Sequence, residues 1–228
     1  MRVGEHSPVL RLVGVVGFVL TLAVWWWVTQ HRFDQVLRPL IMFGGVLAMF
    51  PVVCVGRRVL DVQPTPSRAV WVTTVVHFTI MVLVGTAIIE AVNIGPVYPG
   101  WVIIPLPREI GLALMVVAAP VLLSTVVNLA LQGLGAPFAI ALSRRLATSW
   151  LYAWTRNPMV LAGLVFLIGL GLWLRSILFV LWVVGLVTPA MLVFLKVYEE
   201  RELEVRFGAP YMDYKAKTPM LWPRRPKG

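Results

Sequence analysis

Several stretches of this chain run for about 20 residues almost without a charged side chain, the length an α-helix needs to cross a hydrocarbon core. No other feature constrains the fold as tightly. The chain has 228 residues, 59% of them hydrophobic and 13% charged. A soluble domain of that length would bury a good core, but it would not hide that much apolar surface. The expected fold is all-α: a polytopic transmembrane bundle of about six spans. Hydrophobic helices are predicted over 10–30, 39–56, 69–92, 109–132, 158–173 and 176–198. Only Leu174 and Arg175 separate the last two, which predicts a tight helical hairpin. The prolines and glycines of 93–107 argue for an irregular loop against the membrane.

The net charge is +10. In a soluble protein that would suggest nucleic acid, but no RNA-binding signature or solvated aromatic–basic platform is present, so nucleic acid is excluded as a partner. The positive-inside rule accounts for the charge instead. With six spans and an inner C-terminus, all of the 20 basic residues except Arg32, Arg38, Arg108 and Arg175 fall on the inner side. Both termini are expected in the cytoplasm. Trp25, Trp26 and Trp27 form an interfacial belt with no small-residue cleavage site after them, so the first span reads as a retained helix rather than a signal peptide. Cys54 stands alone, and His6, His31 and His77 are scattered, so no protein-bound metal is expected.

The polar residues within or beside the spans have structural explanations first. His77 and Glu90 are 13 residues apart, about 20 Å along a helix, too far to form one site. A helix-packing hydrogen bond suffices for His77. Asn128 and Gln132 share a face at the inner end of the fourth span and read as interhelical contacts. Gly133, Gly135 and Pro137 end that helix. In Tyr152-Ala153-Trp154-Thr155-Arg156-Asn157-Pro158, Asn157 suits an N-cap and Pro158 the first helical turn, while Arg156 suits a basic anchor.

Two adjacent carboxylates, Glu199 and Glu200, stand where the sixth span leaves the membrane. A surface lattice of Lys196–Glu200 and Glu202–Arg206 pairs would account for its members but leaves Glu199 without a partner. The hairpin puts Asn157 and Glu199 at one membrane depth on neighbouring helices, with Arg156 able to reach that level. The tail beyond Tyr198 turns charged yet keeps Phe207, Tyr211, Tyr214 and Trp222. It is expected to hold about one short helix and a break at Gly208–Pro210.

Taken in order, Gly133-Leu134-Gly135-Ala136-Pro137, Thr148-Ser149, Tyr152, Arg156-Asn157-Pro158, Glu199-Glu200, Phe207-Gly208, Tyr211, Tyr214 and Pro219 resemble the isoprenylcysteine carboxyl methyltransferase and phospholipid methyltransferase superfamily of integral membrane enzymes. The likeness covers 133–226. It divides the chain into N-terminal helices, 1–132, and a methyltransferase-like part, 133–228. The glycine–proline motif resembles that of bacterial members, which implies a bacterial inner membrane with the site facing the cytoplasm.

The resemblance implies S-adenosylmethionine as cofactor and a lipophilic acceptor (a lipid, an isoprenylcysteine-like molecule or another small amphiphile) that enters from the bilayer. It implies cofactor contacts from Leu146, Ala147, Tyr152, Asn157, Pro158, Met159, Val160, Glu199, Tyr211 and Tyr214, with Arg156 and Glu200 as catalytic residues. A Glu199 carboxylate would pair with the cofactor's ammonium, and the tyrosines would pack on its adenine and sulfonium. The chain departs from the family pattern at Asn157, usually His, at Val160, usually Tyr, and at Ala162, usually Gly. Leu195 stands where isoprenylcysteine enzymes carry an Arg tied to the substrate carboxylate, which argues against a prenylcysteine. Two other readings share this scaffold: a non-catalytic partner in a membrane complex, and a membrane reductase of the steroid-reductase type, which nicotinamide-cofactor binding would distinguish.

Overall fold

The computed structural model describes residues 8–94, 104–131 and 146–225. The central part of the expected 93–107 loop and Gln132, Gly133, Gly135, Pro137, Arg144 and Arg145 lie outside the described residues. Among the described residues the protein is all-helical. Five helical stretches are long and apolar enough to cross a membrane, and a sixth, Pro158–Trp173, is shorter. The chain is an integral membrane protein.

The helices run α1 Pro8–Gln30, α2 Leu37–Leu47, α3 Met49–Val62, α4 Pro66–Ile94 and α5 Arg108–Leu131, then the short α6 Leu151–Trp154 and α7 Pro158–Trp173. A rod from Ile177 to Phe207 comes next. Within it lie α8 Ile177–Trp182, a π-helical turn Val183–Val187, α9 Thr188–Val193, a second π-helical turn Phe194–Glu199, and α10 Glu200–Phe207. The tail carries α11 Ala209–Lys217. One span is formed by α2 and α3 together, interrupted at Ala48 because Pro51 has no N–H to give the Leu47 carbonyl. Thr65 opens α4 by accepting from Arg68 N at 3.3 Å, with Pro66 in the first turn.

Two span ends differ from the sequence expectation. The second span continues past 56 to Val62, because Arg57 pairs with Asp61 one turn on and keeps its charge at the surface. The last span continues past 198 to Phe207. Its charged residues turn inward to partners, so polarity does not end the helix. The tail therefore holds two helical pieces: α10 as an extension of the span, and α11 after the break at Gly208, whose φ of 58° suits glycine. The hairpin is as expected. Ser176 caps its second arm, accepting from Phe179 N at 3.2 Å.

The core lies where the rod meets α2, α3, α4 and α7. Val46, Met49, Val53, Val183, Val187, Leu195 and Tyr198 are all buried there. Small residues let backbones close up. A Cβ on Gly45 would meet the Leu83 carbonyl at 2.7 Å, and one on Gly111 would collide with the Trp173 N and the Gly169 carbonyl. The outer faces of α1 and α5, including Leu12, Val16, Val19, Val116, Val117 and Leu123, stay exposed, as lipid-facing surface does.

His77 bonds within its own helix, Nδ1 to the Thr73 carbonyl at 2.9 Å, and meets the rod through the edge of Phe194, ring centroids 5.4 Å apart. The expected hydrogen bond between helices is thus an aromatic contact. At the opposite end of α4, Glu90 lies 3.7 Å from Arg38 of α2, which ties these helices together. Asn128 is buried.

Candidate functional site

The candidate site lies at the end of the bundle where α3, α6, α10 and α11 meet. The second π-helical turn decides what it contains. A π turn adds a residue to the helix and rotates the residues beyond it. Tyr198, fully buried, faces α4, where its hydroxyl stands 2.9 Å from Thr73 Oγ1. Glu199 and Glu200 face α6 and the start of α7. Arg57 reaches across from α3 and donates to the Val197 carbonyl within the turn at 2.9 Å. The first π turn has a local cause. Pro189 has no N–H, and Thr188 Oγ1 donates to the Val183 carbonyl at 2.9 Å.

Glu200 is the centre of a charged cluster. One oxygen lies 2.8 Å from Arg156 Nη1, the other 2.7 Å from Lys215 Nζ. Lys215 also bridges to Glu204 at 3.0 Å, and Arg156 donates to the Tyr211 hydroxyl at 3.1 Å. Tyr214 donates to the Tyr152 carbonyl at 2.6 Å, which ties α11 to α6. The expected Lys196–Glu200 pair is replaced, since Glu200 turns to Arg156 and Lys215 while Lys196 is exposed. The Glu202–Arg206 pair forms at 2.7 Å, but both side chains are buried, so it belongs to packing against α4 rather than to a surface lattice.

Glu199 makes no hydrogen bond or ion pair among the described residues, although Arg156, Glu200 and Tyr152 lie within electrostatic reach of it. Arg156 Nε is buried with no hydrogen-bond partner. A carboxylate and an N–H donor are thus both left over at one place. That combination suits a ligand carrying an ammonium and a carboxylate, such as an amino-acid end.

Asn157 does something the sequence did not suggest. Its side chain makes no cap to α7. Nδ2 donates to the Met220 carbonyl at 2.9 Å instead. Thr155 Oγ1 donates to the same carbonyl at 3.1 Å, Arg156 N to the Pro219 carbonyl at 2.9 Å, and Arg224 N to the Trp154 carbonyl at 3.0 Å. The tail is strapped along 154–157. The Asn157 carbonyl still takes the first helical bond, from Leu161 N at 3.1 Å, and Pro158 sits in the first turn as expected.

Burial raises the pKa of Tyr152 and of Tyr214, and pushes Tyr211 up to about 12 although Arg156 opposes it. All three stay neutral near pH 7 and offer neutral hydroxyls and ring surfaces rather than bases. The bond to Glu200 raises Lys215, which stays charged.

Residues 107–209 match the phospholipid methyltransferase family. That family belongs to the isoprenylcysteine carboxyl methyltransferase-like superfamily. The match runs from the start of α5 to the break after α10, so Arg156, Glu199 and Glu200 fall within it, while Tyr211, Tyr214 and Lys215 lie beyond. A phospholipid methyltransferase match indicates methyl-transfer chemistry in a membrane. No curated protein and no solved structure matches the chain.

Arg156, Glu200 and Tyr152 of this phospholipid methyltransferase-like segment come together with Tyr211 and Tyr214 of the tail around Glu199. Met159 and Val160 stand half-buried in the first turn of α7, and Val160 packs on the hydrophobic core. Leu146 and Ala147 precede α6, half-buried. Sequence reasoning missed Lys215, Arg57, Thr73 and the tail carbonyls. Lys215 carried one signal: it directly follows Tyr214 on the helix that the motif had already placed near the site.

Proposed function

We propose that the protein is a membrane-embedded S-adenosylmethionine-dependent methyltransferase acting on a lipophilic acceptor, with the charged end of the bundle in the cytoplasm. The observation that carries this reading is the half-buried Glu199 carboxyl, which bonds to nothing among the described residues, beside the buried and unpartnered Arg156 Nε–H, inside a segment matching a methyltransferase family. Their chemistry fits the two ends of the cofactor's amino-acid group: Glu199 would hold the ammonium and Arg156 the carboxylate. When bound, the cofactor supplies an electrophilic methyl group. The chain's own part is to position and to exclude water. Glu200, itself anchored by Lys215, holds the Arg156 guanidinium in place, and the Tyr152, Tyr211 and Tyr214 rings supply an aromatic wall for a sulfonium. Positioning of this kind accounts for much of the rate of a bimolecular transfer.

Asn157 favours a second reading. It takes the place of the family's usual His, yet its side chain is bonded to the tail, which suits a scaffold that no longer turns over.

Calorimetry of the detergent-purified protein with S-adenosylhomocysteine separates the two. The methyltransferase reading expects saturable binding, weakened about tenfold or more by Glu199→Gln, the scale of a charge-assisted contact. No binding at millimolar ligand would leave the scaffold reading. Methyl-labelled cofactor and a total membrane lipid extract then show which fraction takes up label.

A further inference from the structure

A half-open pocket of about 320 Å3 lies between α5 and α7. Two small residues, Ala118 and Ala162, both buried, leave the space, and Val121 and Leu161 face it from either helix. One end is closed by Thr155 and Pro158, the residues on either side of Arg156 and Asn157. The pocket therefore abuts the candidate site.

Its chemistry selects the occupant. The hydroxyl in its lining, Thr155 Oγ1, already donates to the Met220 carbonyl. A water would need two to four polar partners and lacks them here. Val117 on the rim is 67% exposed, on a helix apolar and long enough to span a membrane, so the mouth opens to hydrocarbon. The volume falls at the low end of small-molecule sites. An apolar cavity of about 150 Å3 takes a six-carbon ring, so this one scales to roughly a dozen carbons, which is one chain and not two.

We propose that this pocket receives one hydrocarbon chain of a membrane-resident amphiphile, the methyl acceptor of the adjacent site. The proposal rests on the methyltransferase reading and adds where the acceptor's chain lies and how many chains fit.

The test uses the full chain in lipid nanodiscs with a single-chain fatty amphiphile carrying a mid-chain diazirine. Saturable labelling of 117–121 and 158–165, competed by the unlabelled amphiphile, is the expected result. Val121→Trp and Leu161→Phe fill the pocket from opposite helices. Each is expected to lower that labelling by about tenfold or more, the effect of small volume changes in an apolar site, while S-adenosylhomocysteine binding persists. Unsaturable labelling spread over all lipid-facing helices would mean bulk lipid and overturns the proposal. So does labelling that either filled variant leaves unchanged. A wild-type protein that binds no S-adenosylhomocysteine but still takes up the probe saturably would sink the methyltransferase reading and leave a chain-binding pocket.

Discussion

Arg156 and Glu200 stand 2.8 Å apart across the gap between α6 and the end of the last span, with 10% and 13% of their side chains exposed. They are far apart in sequence and meet because the hairpin returns the chain to the depth it left. Glu200 holds Lys215 as well, so removing its charge leaves two cations facing each other. Glu200→Gln is expected to cost about 3 kcal/mol, the scale of a broken buried pair. Chemical unfolding in detergent measures it. Lys215→Ala, which leaves Arg156 paired, is expected to cost much less. Equal effects would show that the cluster is not organised around Glu200.

Asn157 holds the tail through Met220. Replacing it with Ala removes one hydrogen bond and leaves Thr155 on the same carbonyl, so a loss of about 1 kcal/mol is expected. The effect is local: hydrogen exchange over 218–224 rises while α7 is unchanged. A matching rise in α7 would restore the capping role that the sequence suggested.

Thr73 and Tyr198 join α4 to the second π-helical turn in a buried place. Thr73→Val leaves the Tyr198 hydroxyl without its partner and is expected to cost about 2 kcal/mol. Tyr198→Phe in the Thr73→Val background restores part of it. A double-mutant cycle showing no coupling would remove this contact as the anchor of the turn.

Alkaline stability depends on the raised groups. Lys215 and Tyr211 both have folded pKa values above their unfolded ones, 10.5 and 10.0 respectively. A raised group contributes stability that is fully present below the unfolded value and lost as pH rises through the folded one. The protein is therefore expected to keep these contributions up to about pH 10 and to lose the Tyr211 share by about pH 12. Tyrosinate absorbance checks this: wild type shows phenols ionising later than in the unfolded chain, and Tyr211→Phe removes the earliest of these late phenols while those of Tyr152 and Tyr214 persist.

Gly111 is packed against the α7 backbone, not against a side chain that can move aside. Gly111→Ala is expected to cost about 2 kcal/mol through overpacking, read as a lowered melting temperature in detergent. Gly163→Ala, with open space around its Cβ position, is expected to cost nothing.

The membrane class, the approximate place of every span and the hairpin were legible in the sequence because hydrophobic length and charge placement are local properties. The Arg156–Glu199–Glu200 neighbourhood was legible too, since a helical hairpin of known length returns the chain to a known depth. Tertiary structure alone decided which carboxylate is paired. Glu200 finds Arg156 and Lys215 while Glu199 is left over, because a π-helical turn rotates both residues and no local spacing announces where such a turn falls. Asn157 shows the same limit. By spacing it is a helix cap, but the tail returns 63 residues later and offers its side chain a carbonyl. The sequence names the donors and acceptors of a segment, and the fold determines which of them meet.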